Sequence, residues 1–395
     1  MLLGPAFVAA IAYVDPGNVA ANVSAGAQFG FLLVWVIVAA NVMACLVQYL
    51  SAKLGLVTGR SLPEVVGSRM GRPTRLGYWL QAELVAMATD LAEIVGGAIA
   101  LYLLFDLPLL LGGVITGAVS LLLLLVKDRR GQNAFERVIT GLLAIIAIGF
   151  LTSLFASPPP VGDAAAGLVP RFDGAESVLL AAAMLGATVM PHAVYLHSGL
   201  ARDRHGHSEP GPHRARLLRA TRWDVGVAML IAGAVNLSMV LVAATNLQGM
   251  ENTDSIEGAH AAVQSSLGHT VALLFAIGLL ASGLASSSVG AYAGAMIMSG
   301  LLRRSIPLMT RRLITLLPAL VILAVGVDPS RALVLSQVVL SFGIPFALIP
   351  LIRLTADRAL MGADVNARVT TALGWLVAGL ITLLNVVLIY LTLSG

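Results

Sequence analysis

Two long apolar runs in this chain are interrupted near their middles, and those interruptions constrain the fold more than any other feature. The first reads Tyr13-Val14-Asp15-Pro16-Gly17-Asn18, inside an otherwise apolar run from Leu2 to Ala27. The second reads Ala187-Thr188-Val189-Met190-Pro191-His192, inside the run from Ser177 to Leu200. A helix crossing hydrocarbon cannot release backbone hydrogen bonds unless the freed groups line a protected polar cavity. A carboxylate at such a point is costly and marks function. Matching breaks in the two halves of a membrane protein point to a transport site.

Composition agrees. Of 395 residues, 58% are hydrophobic and 11% charged, whereas charged residues make up about a quarter of a soluble chain. The class is an all-α polytopic membrane protein, a single transmembrane domain over 1–395. Its basic residues form no nucleic-acid stripe, because they gather in alternate loops. The single cysteine, Cys45, lies inside a span. It excludes an intrachain disulfide and a thiolate metal cage. No cleavable signal peptide is evident. The chain starts directly on its first span, so a cytoplasmic leader is expected to precede it.

With about 20 apolar residues needed per crossing, eleven spans are expected: 2–28, 30–56, 75–105, 107–126, 134–156, 176–200, 223–248, 270–301, 309–327, 331–354 and 370–393. With the N-terminus in the cytoplasm, 22 of the 24 basic residues fall in cytoplasmic loops and their flanks; Arg171 and Arg331 fall outside. Such a bias sets topology. The C-terminus is then external. Spans 1 and 6 begin on opposite sides, which predicts a five-plus-five inverted repeat with discontinuous helices 1 and 6. Repeat one covers 1–157 and repeat two 176–355, with an additional helix at 370–393. Ser157-Pro158-Pro159-Pro160 marks the linker between the halves.

Pro16 lacks a backbone donor and Gly17 favours non-helical angles, so Asp15 and Asn18 are expected to flank an unwound turn. Carbonyls ending the first half-helix face the gap, where a helix C-terminus favours cations. Pro191 frees the carbonyl of Ala187, four residues earlier. The available donors are one carboxylate, one amide oxygen, backbone carbonyls and the Met190 thioether. Oxygens alone suit Ca²⁺ or Mg²⁺; a sulfur ligand tilts the site toward softer transition metals. The blander reading makes Asp15 an N-cap of the second half-helix and Met190 a gap-filler.

Span 3 carries Glu83, Asp90 and Glu93. At about 100° per residue they share an arc of roughly 80°. Three acids on one buried face suit a water-lined proton route, or ion pairs with Arg311 and Arg312 of span 9. His192 and His197 fit either a proton-handling role or a satisfied core. Gln337 in span 10 is placed to bond within the bundle or to reach a substrate, whereas Asn41 and Gln48 in span 2 bridge helices. The small residues of span 8, Ala281 to Gly294, serve close helix packing. His205, His207 and His213 could bind metal, but an ordinary solvated cytoplasmic loop is the expected reading.

At these residues the chain resembles a known family. Asp15-Pro16-Gly17-Asn18 with Met190-Pro191-His192 is similar to the paired signature of the Nramp divalent-metal transporters (natural resistance-associated macrophage proteins). The stretch Leu46 to Gly55 and the span-8 motif resemble that family too, and the likeness runs along essentially the whole chain. It implies a LeuT-type fold and proton-coupled import of Mn²⁺ or Fe²⁺, with Cd²⁺ and related ions also accepted. It implies metal ligation by Asp15, Asn18, Met190 and the Ala187 carbonyl, with Gln337 completing the site in outward-facing states. It implies proton roles for Asp15, Glu83, Asp90, Glu93, His192, Arg311 and Arg312. The chain departs from the family pattern at Ala193, where Asn is frequent, and in span 8, where Leu284 and Ala295 stand and Gln is frequent.

A secondary transporter is therefore expected, in a bacterial cytoplasmic membrane. Its partners are divalent transition metals, protons and the bilayer, with no resident cofactor, no nucleic acid and no obligate protein partner. An amino-acid carrier on the same fold would need half-helix N-termini aimed at a carboxylate, and an acid in the break disfavours it. An intramembrane protease is disfavoured by the absence of His-Glu-x-x-His, and a channel by the broken-repeat layout.

Overall fold

The computed structural model describes residues 4–250, 255–303, 306 and 308–394, with side chains at all of these except 124–130, 308 and 309. The expected start of span 1 at Leu2, the side chains of Lys127, Arg129 and Arg130, and Arg304 lie outside the described residues. Among the described residues the secondary structure is helical throughout, with no strand. The elements are α1 (Pro5–Ile11), α2 (Pro16–Phe29), α3 (Val34–Thr58), α4 (Leu62–Arg69), α5 (Arg72–Phe105), α6 (Leu109–Arg130), α7 (Gln132–Ala156), α8 (Val161–Ala166) and α9 (Gly174–Thr188). They continue with α10 (Pro191–His205), α11 (Pro212–Asn246), α12 (Ile256–Leu267), α13 (His269–Leu302), α14 (Leu308–Val325), α15 (Pro329–Thr355), α16 (Arg358–Met361) and α17 (Arg368–Ser394).

The described residues of the expected spans lie mostly in helices, with the first and sixth in two pieces each. By length and composition, eight helical stretches among the described residues suffice to cross a membrane, one of them the continuous run Pro16–Thr58. Two shorter apolar helices, Pro5–Val14 and Leu109–Leu123, accompany them. Several helices outrun the bilayer: α11 has 35 residues and α5 and α13 have 34 each. At 1.5 Å per residue these exceed a core of about 30 Å.

Both breaks occur where the sequence places them. After α1 the chain tightens into a single 3₁₀ turn, Ala12–Val14, and Asp15 turns extended at φ −69°, ψ 165°. Val189 (φ −100°, ψ 54°) and Met190 (φ −58°, ψ 121°) leave helical geometry between α9 and α10. Pro16 and Pro191 each open the second half-helix, where a missing N–H costs nothing and the fixed φ suits a helix start. Gly17 corrects the expectation. It is the second residue of α2, inside the helix, and not at the irregular turn. What it supplies is space, because a Cβ there would collide with the Gln337 side chain.

Close approach of helices holds the breaks in place. A Cβ on Gly96 of α5 would fall 1.9 Å from Cβ of Pro16, so glycine at that position seats the proline ring against α5. In hydrocarbon, where apolar burial drives little association, such small-residue contacts and buried polar bonds carry helix packing.

The basic loops share one end of the molecule. Arg202 pairs with Glu64 at 2.6 Å, Arg204 with Glu136 at 2.5 Å, Arg214 with Asp364 at 2.9 Å and Arg69 with Asp357 at 2.9 Å. These bonds tie α4, the start of α7, the end of α10, the start of α11 and the segment around α16 together.

Candidate functional site

Asp15, Asn18, Ala187 and Gln337 meet in the protein interior, each 0% exposed. Asp15 Oδ1 accepts from the Asn18 backbone N–H at 2.8 Å and from Asn18 Nδ2 at 2.9 Å. Asn18 Nδ2 donates a second bond, 2.7 Å, to the Ala187 carbonyl. That carbonyl is the one freed by Pro191. Gln337 Nε2 donates to Asp15 Oδ2 at 3.3 Å, and Thr188 Oγ1 donates to Asn18 Oδ1 at 3.4 Å. Gly186 brings α15 close enough for this: a Cβ there would lie 1.9 Å from the Gln337 carbonyl oxygen. The N-cap reading of Asp15 and its site reading therefore coexist in one carboxylate. Met190, at the tip of the second break, is fully buried.

Two carbonyls of the first break are already engaged. Asn236 Nδ2 donates to the Tyr13 carbonyl at 2.6 Å, and Ser282 Oγ to the Val14 carbonyl at 2.5 Å. The sequence reading did not single out Asn236, although an amide in the middle of an apolar span is the signal that flagged Gln337. Ser282 was read as packing; it also satisfies the unwound turn.

The acids of α5 meet the arginines of α14. Glu83 Oε1 accepts from Arg311 Nη2 at 2.8 Å, and Asp90 Oδ1 from Arg312 Nη1 at 2.5 Å. Arg312 also donates to Ser120 Oγ at 3.1 Å and to Ser287 Oγ. Glu93 differs. It is 0% exposed and, among the described residues, forms no ion pair with an arginine, lying instead beside the Asp90 carboxyl; a Cβ on Gly290 of α13 would sit 2.8 Å from Oε1. His192 Nδ1 lies 3.3 Å from Thr89 Oγ1, one residue before Asp90.

Other polar residues resolve into structure. Gln48 Oε1 meets His197 Nδ1 at 2.6 Å while its amide donates to the Tyr13 hydroxyl, so His197 is a satisfied core histidine and Gln48 a helix bridge. His205, His207 and His213 belong to no grouping of three His, Cys, Asp or Glu among the described residues that would hold a metal.

A single buried carboxylate facing two amides, one of them bonded to a carbonyl freed by proline, at the meeting of two broken apolar helices, is the pattern of a membrane transporter. Residues 6–391 match the family model described as natural resistance-associated macrophage protein-like, Nramp. The divalent metal cation transporter MntH of Mycobacterium tuberculosis (strain H37Rv) is 72% identical over 394 residues, covering 100% of this chain and 92% of its own. The crystal structure of the Eremococcus coleocola manganese transporter, in complex with an aromatic bis-isothiourea substituted compound, aligns with a TM-score of 0.86 and 32% identity, covering 97% of this chain and 85% of that one. Mhp1, a nucleobase-cation-symport-1 family transporter, aligns at 0.63 with 16% identity over 98% of this chain and 90% of its own, a likeness of fold alone. The chain belongs to the Nramp family, metal-ion transporters and not enzymes, and its fold is the LeuT type.

Proposed function

We propose that this protein imports divalent transition metals, Mn²⁺ and Fe²⁺ with Cd²⁺ also accepted, coupled to protons by alternating access. The observation that carries the reading is the Asn18 amide nitrogen, held between Asp15 Oδ1 and the Ala187 carbonyl in a fully buried setting. An amide N–H₂ carries partial positive charge and stands where a cation would sit. Turning the Asn18 amide over presents its oxygen instead. Asp15, Asn18, the Ala187 carbonyl and the Met190 sulfur then form a mixed oxygen–sulfur ligand set, which favours softer divalent ions over Ca²⁺ or Mg²⁺. Gln337, which already donates to Asp15, completes the shell in outward-facing states. The name of the Eremococcus coleocola relative, a manganese transporter, supports manganese as one substrate.

The proton is taken up at Asp15 and passes to the Glu93 and Asp90 region, with His192, Glu83, Arg311 and Arg312 along the route. Glu93, buried and outside the ion pairs, is the natural acceptor beside them. Residues 1–157 and 176–355 act as inverted repeats, and α17 stands outside them. The N-terminus is cytoplasmic and the C-terminus external in a bacterial cytoplasmic membrane. The shared basic end supports this orientation, since Lys and Arg gather on the cytoplasmic side. Because the site is closed from solvent, spans 1 and 6 must rock against the other helices to open it alternately. A potential negative inside drives cation entry by about 2.3 kcal/mol per charge per 100 mV. Proteoliposome uptake of Mn²⁺, with internal pH recorded together, tests both claims. Uptake with internal acidification is expected, and Asp15→Ala should reduce it to the level of protein-free liposomes. Retained uptake in that variant contradicts the site, and uptake without acidification contradicts the coupling.

A further inference from the structure

We propose that a lipid-facing groove between α3 and α11 is a binding site for an anionic phospholipid. The groove encloses about 600 Å³. Its apolar wall includes Val42, Leu46, Met229 and Leu230, and Val42 and Leu230 are 66% and 70% exposed. At one end stands Arg222. Its guanidinium lies over the Tyr49 ring, 5.1 Å from the centroid, and its Nε donates to the Tyr49 hydroxyl at 3.0 Å. Among the groove's described lining residues none is acidic.

Three further features fix the class of occupant. Arg219 lies one helical turn before Arg222 and is exposed, so two guanidiniums share a helix face. Trp223 beside them is 70% exposed, as expected of an aromatic side chain at the headgroup level. Both arginines sit toward the end of α11 from which the basic loops emerge. An apolar trough closed by cations at an interface fits an acyl chain below and a phosphodiester above: basic pockets between transmembrane helices on the cytoplasmic side take acidic headgroups, and guanidinium pairs with phosphate in bidentate fashion. A zwitterionic headgroup would place its own ammonium beside Arg222. Assigning the lipid to the cytoplasmic leaflet rests on the orientation proposed above; the binding itself does not.

Native mass spectrometry of the whole protein, released from micelles holding equal amounts of phosphatidylglycerol and phosphatidylcholine, tests the site without recourse to transport. The wild-type protein is expected to retain one phosphatidylglycerol in preference to phosphatidylcholine. Arg222→Gln should weaken that preference about fivefold, the worth of one basic side chain at an anionic leaflet. Val42→Trp fills the apolar seat on an already exposed position and should remove the lipid while leaving Arg222 in place. Arg60→Gln, an exposed arginine on the turn after α3, should change nothing. Soluble glycerol phosphate should not displace the bound lipid. Equal retention of both lipids by wild type, an undiminished preference in both groove variants, or displacement by glycerol phosphate overturns the proposal. So does a dimer without retained lipid, which would make the groove a contact between copies.

Discussion

Two polar regions lie inside this protein, and they neutralise their carboxylates in different ways. At the paired breaks, Asp15 faces two amides, Asn18 and Gln337, and among the described residues no guanidinium pairs with it. Along α5, Glu83 and Asp90 each face an arginine of α14. An amide carries a donor and an acceptor on one group and can exchange one for the other by rotation. A guanidinium has donors alone and stays charged. Under the proposed function, the first region surrenders its internal bonds to an arriving cation and regains them when it leaves. The second is a fixed charge framework. Glu93, on the same helix as Asp90, lies outside those ion pairs and under the proposed function is the carboxylate that takes the proton.

The sharpest test of that difference is to remove one partner from each region. Arg312→Met strands Asp90 as a buried, unpaired carboxylate and should cost roughly 3–5 kcal/mol of stability, read as a large drop in unfolding temperature in detergent. Adding Asp90→Leu to Arg312→Met should restore most of the loss, since a well-packed apolar pair replaces a buried ion pair at little cost. A single variant as stable as wild type would remove the framework role. Gln337→Leu should behave differently. It removes a neutral hydrogen-bonding partner of the Asp15 carboxylate, so stability should fall by less, about 1–3 kcal/mol, while the dissociation constant for Mn²⁺ rises about 10–100-fold, measured by calorimetry. If Gln337→Leu destabilises as much as Arg312→Met and leaves affinity alone, the two regions are not distinct in kind.

The smallest expected effect is a change of ratio. Met190→Ala exchanges the soft sulfur for nothing, so Cd²⁺ binding should weaken while Ca²⁺ or Mg²⁺ entry rises relative to Mn²⁺. Competition uptake in proteoliposomes reads this directly, and unchanged selectivity removes the sulfur from the ligand set.

Much of this was legible in the chain because the informative signals are local. Proline four residues beyond Ala187 announces a free carbonyl, and that carbonyl accepts from Asn18. Acids at positions 83, 90 and 93 announce a shared face, and the ion-pair alternative named the arginines that bind two of them. What stayed hidden depends on distant partners. The bonds from Asn236 to Tyr13 and from Ser282 to Val14 span 223 and 268 residues of sequence, and only packing of α11 and α13 against the turn creates them. Gly17 misled for a related reason. Glycine signals either irregular backbone or a near neighbour, and the neighbour, Gln337, is 320 residues away. The family resemblance supplied the ligand roles, which spacing alone left open between a cap and a metal site.

Anomalous diffraction from crystals soaked in Mn²⁺ addresses the ion itself. One peak is expected within bonding distance of an Asp15 carboxylate oxygen, the Ala187 carbonyl oxygen and the Met190 sulfur, with the Asn18 amide turned to offer oxygen. Strong anomalous density found solely at other positions, with the Asn18 nitrogen still bridging Asp15 and Ala187, would contradict a substrate site at the two breaks.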